Sequence, residues 1–257
     1  MTKALVFQMT SLKSNVLRVE KLSVSYGEHP VLDNLSFDLG KNEIISVLGP
    51  SGVGKTTLFQ SIAGFIDIDT GTIQIQGSLY DQTKNKVSYM LQKDLLFEHK
   101  TVYDNASLPL VIQGKTYEEI KGKVMPLLQR FGLENTENLY PFQLSGGMRQ
   151  RVAFLRTFLM GHRIALLDEP FSALDTITRS KMQTWYYELV KELELSTILV
   201  THDIDEAILL SDRVLVLNGK PGKIVKELVI EKDKNAIESF PTSHAFLGYK
   251  KEILKYL

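Results

Sequence analysis

The stretch from Leu48 to Leu58 reads Leu-Gly-Pro-Ser-Gly-Val-Gly-Lys-Thr-Thr-Leu and fits the phosphate-binding loop pattern G-x-x-x-x-G-K-[ST]. A short apolar, β-branched run at 42–48 precedes it, and apolar residues at helical spacing follow at 57–63. Strand, glycine-rich turn and helix are the context that this motif requires. The pattern therefore predicts an α/β fold built around a site for nucleotide phosphates.

The expected chemistry of the loop follows from backbone geometry and charge. Glycines let backbone N–H groups converge on phosphate oxygens at the N-terminus of a helix, where the helix dipole is positive. We expect the Lys55 ammonium at the β- and γ-phosphates and the Thr56 hydroxyl on Mg²⁺. The predicted phosphate-binding residues are Gly49, Pro50, Ser51, Gly52, Val53, Gly54, Lys55, Thr56 and Thr57.

The composition excludes several classes of protein. The 257 residues are 44% hydrophobic, and 30 basic residues balance 30 acidic ones, so charge gives no reason to expect a nucleic-acid partner. Cysteine is absent, which excludes disulfides and zinc–cysteine sites. No apolar stretch approaches the roughly 20 residues that span a bilayer. Residues 1–12 lack the pattern of a secretory signal, so any membrane spans would belong to other subunits.

Hydrophobic spacing predicts the order of the elements. Apolar and polar residues alternate at 16–26 and, less cleanly, at 31–39, which predicts two strands ahead of the phosphate loop; 71–77 and 86–91 predict two more. The hydrophobic spacing then becomes helical over about 93–160, where Thr116 and Glu119 form a capping box. We expect this region to be a helical insert between two strands of the core.

The second half of the chain predicts a largely parallel sheet. Short apolar runs at 164–167, 197–201 and 213–217 are separated by helical patterns, as in βα units, and 223–229 reads as a final strand. In the tail, Phe246, Tyr249, Ile253 and Leu257 are spaced like one helix face, which favours a packed helix. The predicted division is a single domain at 1–230 and a helical tail at 231–257.

An apolar strand at 164–170 ends in two carboxylates. Asp168 at the strand tip suits a water-mediated contact with Mg²⁺, and Glu169 could polarise an attacking water as general base. Most Asp-Glu pairs are solvated surface features. After a buried strand, in a chain that also holds a phosphate loop, the pair indicates a catalytic site.

A second glycine-rich turn, Leu-Ser-Gly-Gly-Met-Arg-Gln at 144–150, leads into a predicted helix and forms a second anion-binding helix N-terminus. A chain that binds one nucleotide at its phosphate loop has no evident use for it. This turn resembles the signature motif of ATP-binding cassette (ABC) proteins, and the resemblance extends from about residue 16 to 228. It implies a P-loop NTPase core with an N-terminal antiparallel β subdomain and an inserted helical subdomain.

The resemblance also implies roles for individual residues. Tyr26 resembles the aromatic residue that stacks on adenine, and Gln92 the glutamine that reaches Mg²⁺ and the attacking water. Asp175 ends the 172–175 loop that communicates between two ATP sites, and His202 resembles the histidine that contacts the γ-phosphate. In this family the signature turn of one subunit, here Ser145, Gly146, Gly147 and Gln150, closes over the ATP held by a second copy.

A few positions depart from the family pattern. Asn42 stands where glycine is common, and asparagine is the next most tolerant residue of a positive φ, so we expect the turn to survive. Val53 and Leu155 replace residues that are more often small or polar. We expect neither to affect the chemistry.

Within the family, the segment 94–105 resembles the importer segment that receives a cytoplasmic helix of the permease. The stretches 138–151 and 213–224 look like the nitrate/sulfonate/taurine group, which includes importers of thiamine-precursor pyrimidines. The resemblance thus implies transmembrane permease subunits, an indirect extracytoplasmic solute-binding protein and a peripheral location on the cytoplasmic side of the cell membrane.

Other functions compete with this interpretation. An exporter or lipoprotein-releasing ATPase would share all of the core motifs. A soluble ABC machine acting on DNA or ribosomes typically carries two cassettes, coiled-coil insertions, zinc modules or basic arms, which this chain lacks. A P-loop kinase would leave 144–150 and His202 unexplained.

Overall fold

A computed structural model describes residues 15–79, 86–233, 237 and 239–257. Residues 1–12, predicted above to lack a secretory signal, lie outside these described residues. Within them, every helix is too short or too polar to cross a bilayer.

The strands form two sheets. Their bounds are β1 Asn15–Tyr26, β2 His29–Gly40, β3 Ile44–Leu48, β4 Thr70–Ile75, β5 Ser78–Leu79, β6 Ser88–Met90, β7 Ile164–Asp168, β8 Ser196–Thr201, β9 Arg213–Asn218 and β10 Lys223–Val229. The first sheet has the order β2-β1-β4-β5 with antiparallel pairing throughout. The second has the order β10-β9-β3-β8-β7-β6 and is parallel except for the edge strand β10. The predicted antiparallel N-terminal β subdomain and largely parallel core sheet are confirmed.

One face of the parallel sheet is covered by helices, and the other by the helix after the phosphate loop together with the antiparallel sheet. The helices are α1 Lys55–Ala63, α2 Val102–Ile112, α3 Tyr117–Arg130, α4 Gly146–Phe158, α5 Thr176–Glu192, α6 Ile204–Leu210 and α7 His244–Ile253. Since both faces are covered, every residue of β3, β7 and β8 is buried. The carboxyl ends of these three strands lie side by side and carry the residues of the site described below.

The helical stretch between β6 and β7 contains α2, α3 and α4, as the sequence predicts. Both α2 and α3 begin with a complete capping box, formed by Thr101 with Asp104 and by Thr116 with Glu119. The buried residues of α3, Ile120, Val124 and Leu128, belong to the same hydrophobic cluster as the buried apolar residues of α4. Apolar packing therefore joins these helices to one another.

The tail helix α7 packs on α6. Phe246 and Ile253 are buried in a cluster with Ala207 and Ile208 of α6. Lys250 forms an ion pair of 2.7 Å with Asp205 at the other end of the contact. Leu257, spaced in the sequence as part of the same face, lies beyond the end of α7 and is 44% exposed.

Candidate nucleotide site

The phosphate loop runs from the carboxyl end of β3 to the first residue of α1. Gly54 caps α1 with a φ of 107°, and Gly52 has a φ of 79°, conformations that residues with a Cβ rarely adopt. A Cβ on Gly49 would collide with the carbonyl oxygen of Leu217 in β9. One on Gly222, in the turn before β10, would collide with the carbonyl oxygen of Val53. The loop is therefore held in shape by close packing against the end of the sheet.

The departures from the family pattern fit this framework. Asn42 has a φ of 58°, so it adopts the left-handed conformation that a glycine would supply, as expected. Val53 and Leu155 are both buried in apolar clusters. Pro50, Ser51 and Gly52 at the tip of the loop are exposed.

The Lys55 side chain folds back over the loop. Its Nζ donates to the carbonyl oxygens of Gly49 at 2.8 Å and Pro50 at 3.0 Å. Burial lowers the pKa of Lys55, while the nearby carboxylates of Glu169 and Asp168 oppose that shift. The arrangement places a cation at the phosphate loop, where it can bind a phosphate oxygen.

A carboxylate and a hydroxyl meet at the end of β7. Asp168 Oδ2 accepts hydrogen bonds from Thr56 Oγ1 at 3.4 Å and from the Tyr89 hydroxyl at 3.2 Å. Burial raises the pKa of Asp168, and the hydrogen bond from Tyr89 opposes that rise. Burial and the Asp168 charge raise the pKa of Tyr89, which therefore remains a donor at neutral pH. Tyr89 was not among the residues predicted from the sequence.

The three residues predicted to act in catalysis come together. The Glu169 carboxylate accepts from Gln92 Nε2 at 3.1 Å through one oxygen and lies 3.0 Å from His202 Nδ1 through the other. Glu169 has a φ of 44°, which is unusual for a residue with a side chain, and its backbone N–H donates to the Val200 carbonyl at 2.9 Å. This strained backbone directs the carboxylate between a glutamine and a histidine.

Tyr26 lies at the end of β1, ahead of the loop. Its side chain is half exposed, and its hydroxyl donates to Gln60 Oε1 of α1 at 3.4 Å. Thr57, the last predicted loop residue, is buried in the first turn of α1. The exposed face of the Tyr26 ring is available to stack on a base.

The signature turn stands apart from these residues. Ser145 caps α4 and accepts from the Met148 N–H at 3.3 Å, and Gly146 and Gly147 form the first turn of that helix. Gln150 donates to the Pro170 carbonyl, and so ties α4 to the segment that follows Glu169. In the described part of the chain, no hydrogen bond joins the signature turn to the phosphate loop. The described residues therefore hold two separate glycine-rich helix N-termini, the kind of site that can bind an anion.

Asp175 starts α5 near this second helix end. Its carboxylate accepts from the backbone N–H groups of Ile177 at 3.1 Å and Thr178 at 3.0 Å. Hydrogen bonds from Thr178 and Ile177 lower the pKa of Asp175. A Cβ on Gly147 would touch the Thr178 methyl at 3.1 Å, so the two helix starts pack closely together.

The fold and this site define a P-loop nucleoside triphosphatase. The ABC transporter family matches residues 32–172. The chain is 44% identical over 207 residues to the formylaminopyrimidine import ATP-binding protein ThiZ of Halalkalibacterium halodurans, covering 80% of this chain and 81% of that protein. It is 37% identical over 213 residues to the taurine import ATP-binding protein TauB of Escherichia coli O157:H7, covering 83% and 84%.

A solved structure of an ATP-binding cassette also resembles this chain. The dimeric, post-hydrolysis structure of the ATP-binding cassette MJ0796 with ADP and Pi superposes with a TM-score of 0.72 at 29% identity, over 84% of this chain and all of that one (100%). The chain therefore belongs to the ABC transporter family, as the signature turn indicates. It is an ATP-binding cassette ATPase.

Proposed function

We propose that this chain hydrolyses ATP to energise a membrane importer of a small organic solute. The observation that carries the ATPase chemistry is the meeting of Gln92, Glu169 and His202 beside the phosphate loop. The importer assignment is supported by extensive identity to two proteins named as import ATP-binding proteins.

In the proposed reaction, Glu169 accepts a proton from the attacking water. His202 holds the Glu169 carboxylate and contacts the γ-phosphate, while Gln92 orients the water from the other side. Lys55 and the loop N–H groups stabilise the charge that develops on the phosphates. Tyr26 binds the adenine by stacking.

The residues around Asp168 fit a magnesium ion. Mg²⁺ prefers oxygen ligands and is usually held by one or two protein groups together with water and substrate phosphates. The Thr56 hydroxyl lies 3.4 Å from the Asp168 carboxylate at the phosphate loop. Gln92 is hydrogen-bonded to Glu169, the residue after Asp168. We assign Thr56, Asp168 and Gln92 to this ion, which would neutralise charge on the β- and γ-phosphates when bound.

Two copies of the chain are proposed to share two ATP molecules. The signature turn, with Ser145 at an exposed helix N-terminus, makes no hydrogen bond to the phosphate loop among the residues that the structure describes. It would bind the γ-phosphate held by the second copy, with Asp175 lying between the two sites. The dimeric state of the solved relative supports this arrangement. ATP then favours the closed dimer because it makes contacts that exist only there.

An apolar groove of about 420 Å³ marks the proposed permease contact. Leu91, Leu95, Phe97 and Ile112 line it, and each of these side chains is 43–77% exposed. Arg156 of α4 also lines the groove, and it donates to the backbone carbonyls of Leu95 and Asp94. We assign the groove to a cytoplasmic helix of a permease, since large exposed apolar patches mark interaction sites. The contact would join the segment after Gln92 to the signature helix.

The solute would be an organic anion such as taurine, another sulfonate or nitrate, or a thiamine-precursor pyrimidine, delivered to the permease by an extracytoplasmic binding protein. The chain would sit peripherally on the cytoplasmic side of the cell membrane. Residues 1–230 would form the ATPase domain and 231–257 a helical tail packed on α6.

The test is co-purification of the permease from membranes with the full chain carrying Ile112→Asp. We expect this variant to lose the membrane-spanning partner and to keep its basal ATPase rate. Val229→Asp, an equally apolar and 62% exposed position on β10, is the matched control and should retain the partner. A companion from DNA repair or the ribosome, or a permease that binds Ile112→Asp as it binds the wild type, would contradict the proposal.

A further inference from the structure

Tyr89 stands out because it contacts the proposed magnesium carboxylate and belongs to none of the family motifs described above. It is the middle residue of β6, where Ser88 and Met90 on either side are buried. Successive side chains of a strand point to opposite faces, so Tyr89 points to the face covered by α1. Its hydroxyl lies 3.2 Å from Asp168 Oδ2, at the end of the neighbouring strand β7.

The Tyr89 ring is fixed by two other aromatic rings. Phe59 of α1 meets it edge-on, with centroids 5.8 Å apart and planes at 85°, and Phe65 lies at the same distance at 31°. Phe59 is fully buried, whereas Phe65 is 62% exposed. A ring restrained on two sides keeps its hydroxyl in one place, which a flexible donor could not do.

The hydrogen bond that Tyr89 makes is suited to orienting a carboxylate. Both donors on Asp168, Thr56 and Tyr89, converge on the same oxygen, Oδ2. Groups that hydrogen-bond a metal ligand fix its orientation, and losing them typically costs tenfold or more in metal affinity. Of these two donors, Thr56 is itself a proposed ligand of the ion. Tyr89 is not, so its hydroxyl can hold the Asp168 carboxylate without also binding the ion.

We propose that Tyr89 is a positioning residue, which holds the Asp168 carboxylate in the orientation that binds the magnesium of Mg-ATP. This inference rests on the proposed magnesium site. In this role Tyr89 acts through the Asp168 carboxylate and is not itself a ligand of the ion. Tyr89 is also one of the residues that line the groove assigned to the permease.

The experiment measures how Mg²⁺ changes the affinity of the full chain for a fluorescent ADP analogue, from excess EDTA through a Mg²⁺ titration. We expect Tyr89→Phe to bind the ADP analogue in EDTA with the same affinity as the wild type. The Mg²⁺ concentration that produces half of the change in nucleotide affinity should rise by about tenfold. Tyr103→Phe is the matched control, because it removes a hydroxyl from a tyrosine on α2 that lies outside the site. The control should titrate like the wild type.

A Tyr89→Phe protein that titrates like a magnesium-responsive wild type would overturn this inference and leave the proposed function standing. A wild type whose affinity ignores Mg²⁺ would instead overturn the magnesium site and, with it, the role of Tyr89. Should Tyr89→Phe fail to fold, Phe65→Leu removes one ring contact at an exposed position. It should raise the half-effect concentration in the same direction by about two- to threefold, and no change would refute the role.

Discussion

Glu206 supplies a quantitative test of how α5 packs on α6, the helix that begins just after His202. It lies on α6, is only 4% exposed, and its Oε2 accepts from Gln183 Nε2 of α5 at 3.1 Å. Burial raises the pKa of Glu206 from 4.5 to about 7. Hydrogen bonds from Thr201 and Gln183 and the charge of Arg179 oppose the rise, while the Asp203 carboxylate adds to it. The folded protein therefore holds a proton on Glu206 that the unfolded chain has lost.

The sign and size of the effect follow from that difference. Between pH 4.5 and 7 the folded state binds more protons than the unfolded state, so the free energy of unfolding falls as the pH rises through this window. One pKa unit corresponds to about 1.4 kcal/mol, so the contribution lost between pH 5 and 8 is about 2–3 kcal/mol. Glu206→Gln removes the titration and keeps the shape. Its stability relative to the wild type should therefore increase by that amount over this range.

Urea unfolding at pH 5, 6, 7 and 8 measures the difference, with the fluorescence of the single tryptophan, Trp185, as the signal. Trp185 packs against Phe131 and Phe154, so unfolding changes its surroundings. Burial also lowers the pKa of Lys232 to about 7, but this titration is present in both proteins and cancels in the comparison. Glu188→Gln on the exposed face of α5 controls for loss of a charge. Parallel stability curves for wild type and Glu206→Gln would refute the reasoning.

Three further outcomes are expected from the proposed chemistry. Glu169→Gln should bind ATP yet hydrolyse it about 10²- to 10⁴-fold more slowly and accumulate as a dimer in sedimentation; wild-type turnover would remove Glu169 as the base. Lys55→Ala should weaken ATP binding by about tenfold or more in equilibrium titration, because it loses a charged donor to phosphate; unchanged affinity would contradict the loop assignment. Ser145→Arg should keep ATP affinity within about twofold yet lower steady-state hydrolysis at least about tenfold by blocking closure, and wild-type hydrolysis would argue against the shared site.

Much of the fold could be predicted because its signals are local. The strand alternation, the capping box at Thr116 and the positive φ at Asn42 each depend on a few neighbouring residues, and the structure confirms them. The catalytic candidates Gln92, Glu169 and His202 were predicted from the family motifs, and they meet because parallel strands end at one edge of the sheet. Their roles in the reaction stay predictions.

Contacts between distant residues could not be predicted in this way. Tyr89 looks like an ordinary strand residue until β6 pairs with β7 and brings its hydroxyl to Asp168. Glu206 reads as one acidic residue of a polar helix start, and only the packing of α5 on α6 shows that it is buried beside Gln183. Neither residue has a spacing pattern that distinguishes it, since its environment is made by elements far away in the chain.

The close approach of Gly222 to Val53 extends the nucleotide site beyond its motifs. Gly222 belongs to the turn before β10 and follows every predicted site residue in the chain, yet its missing side chain leaves the room that the phosphate loop occupies. Its N–H and carbonyl also bond to Val31 and Asp33 of β2, which fixes the turn from the opposite side. A survey that scores variants by motif membership would class a substitution here as harmless. Physically, Gly222 belongs with the loop glycines, because a side chain here would push against the Val53 backbone in the phosphate loop.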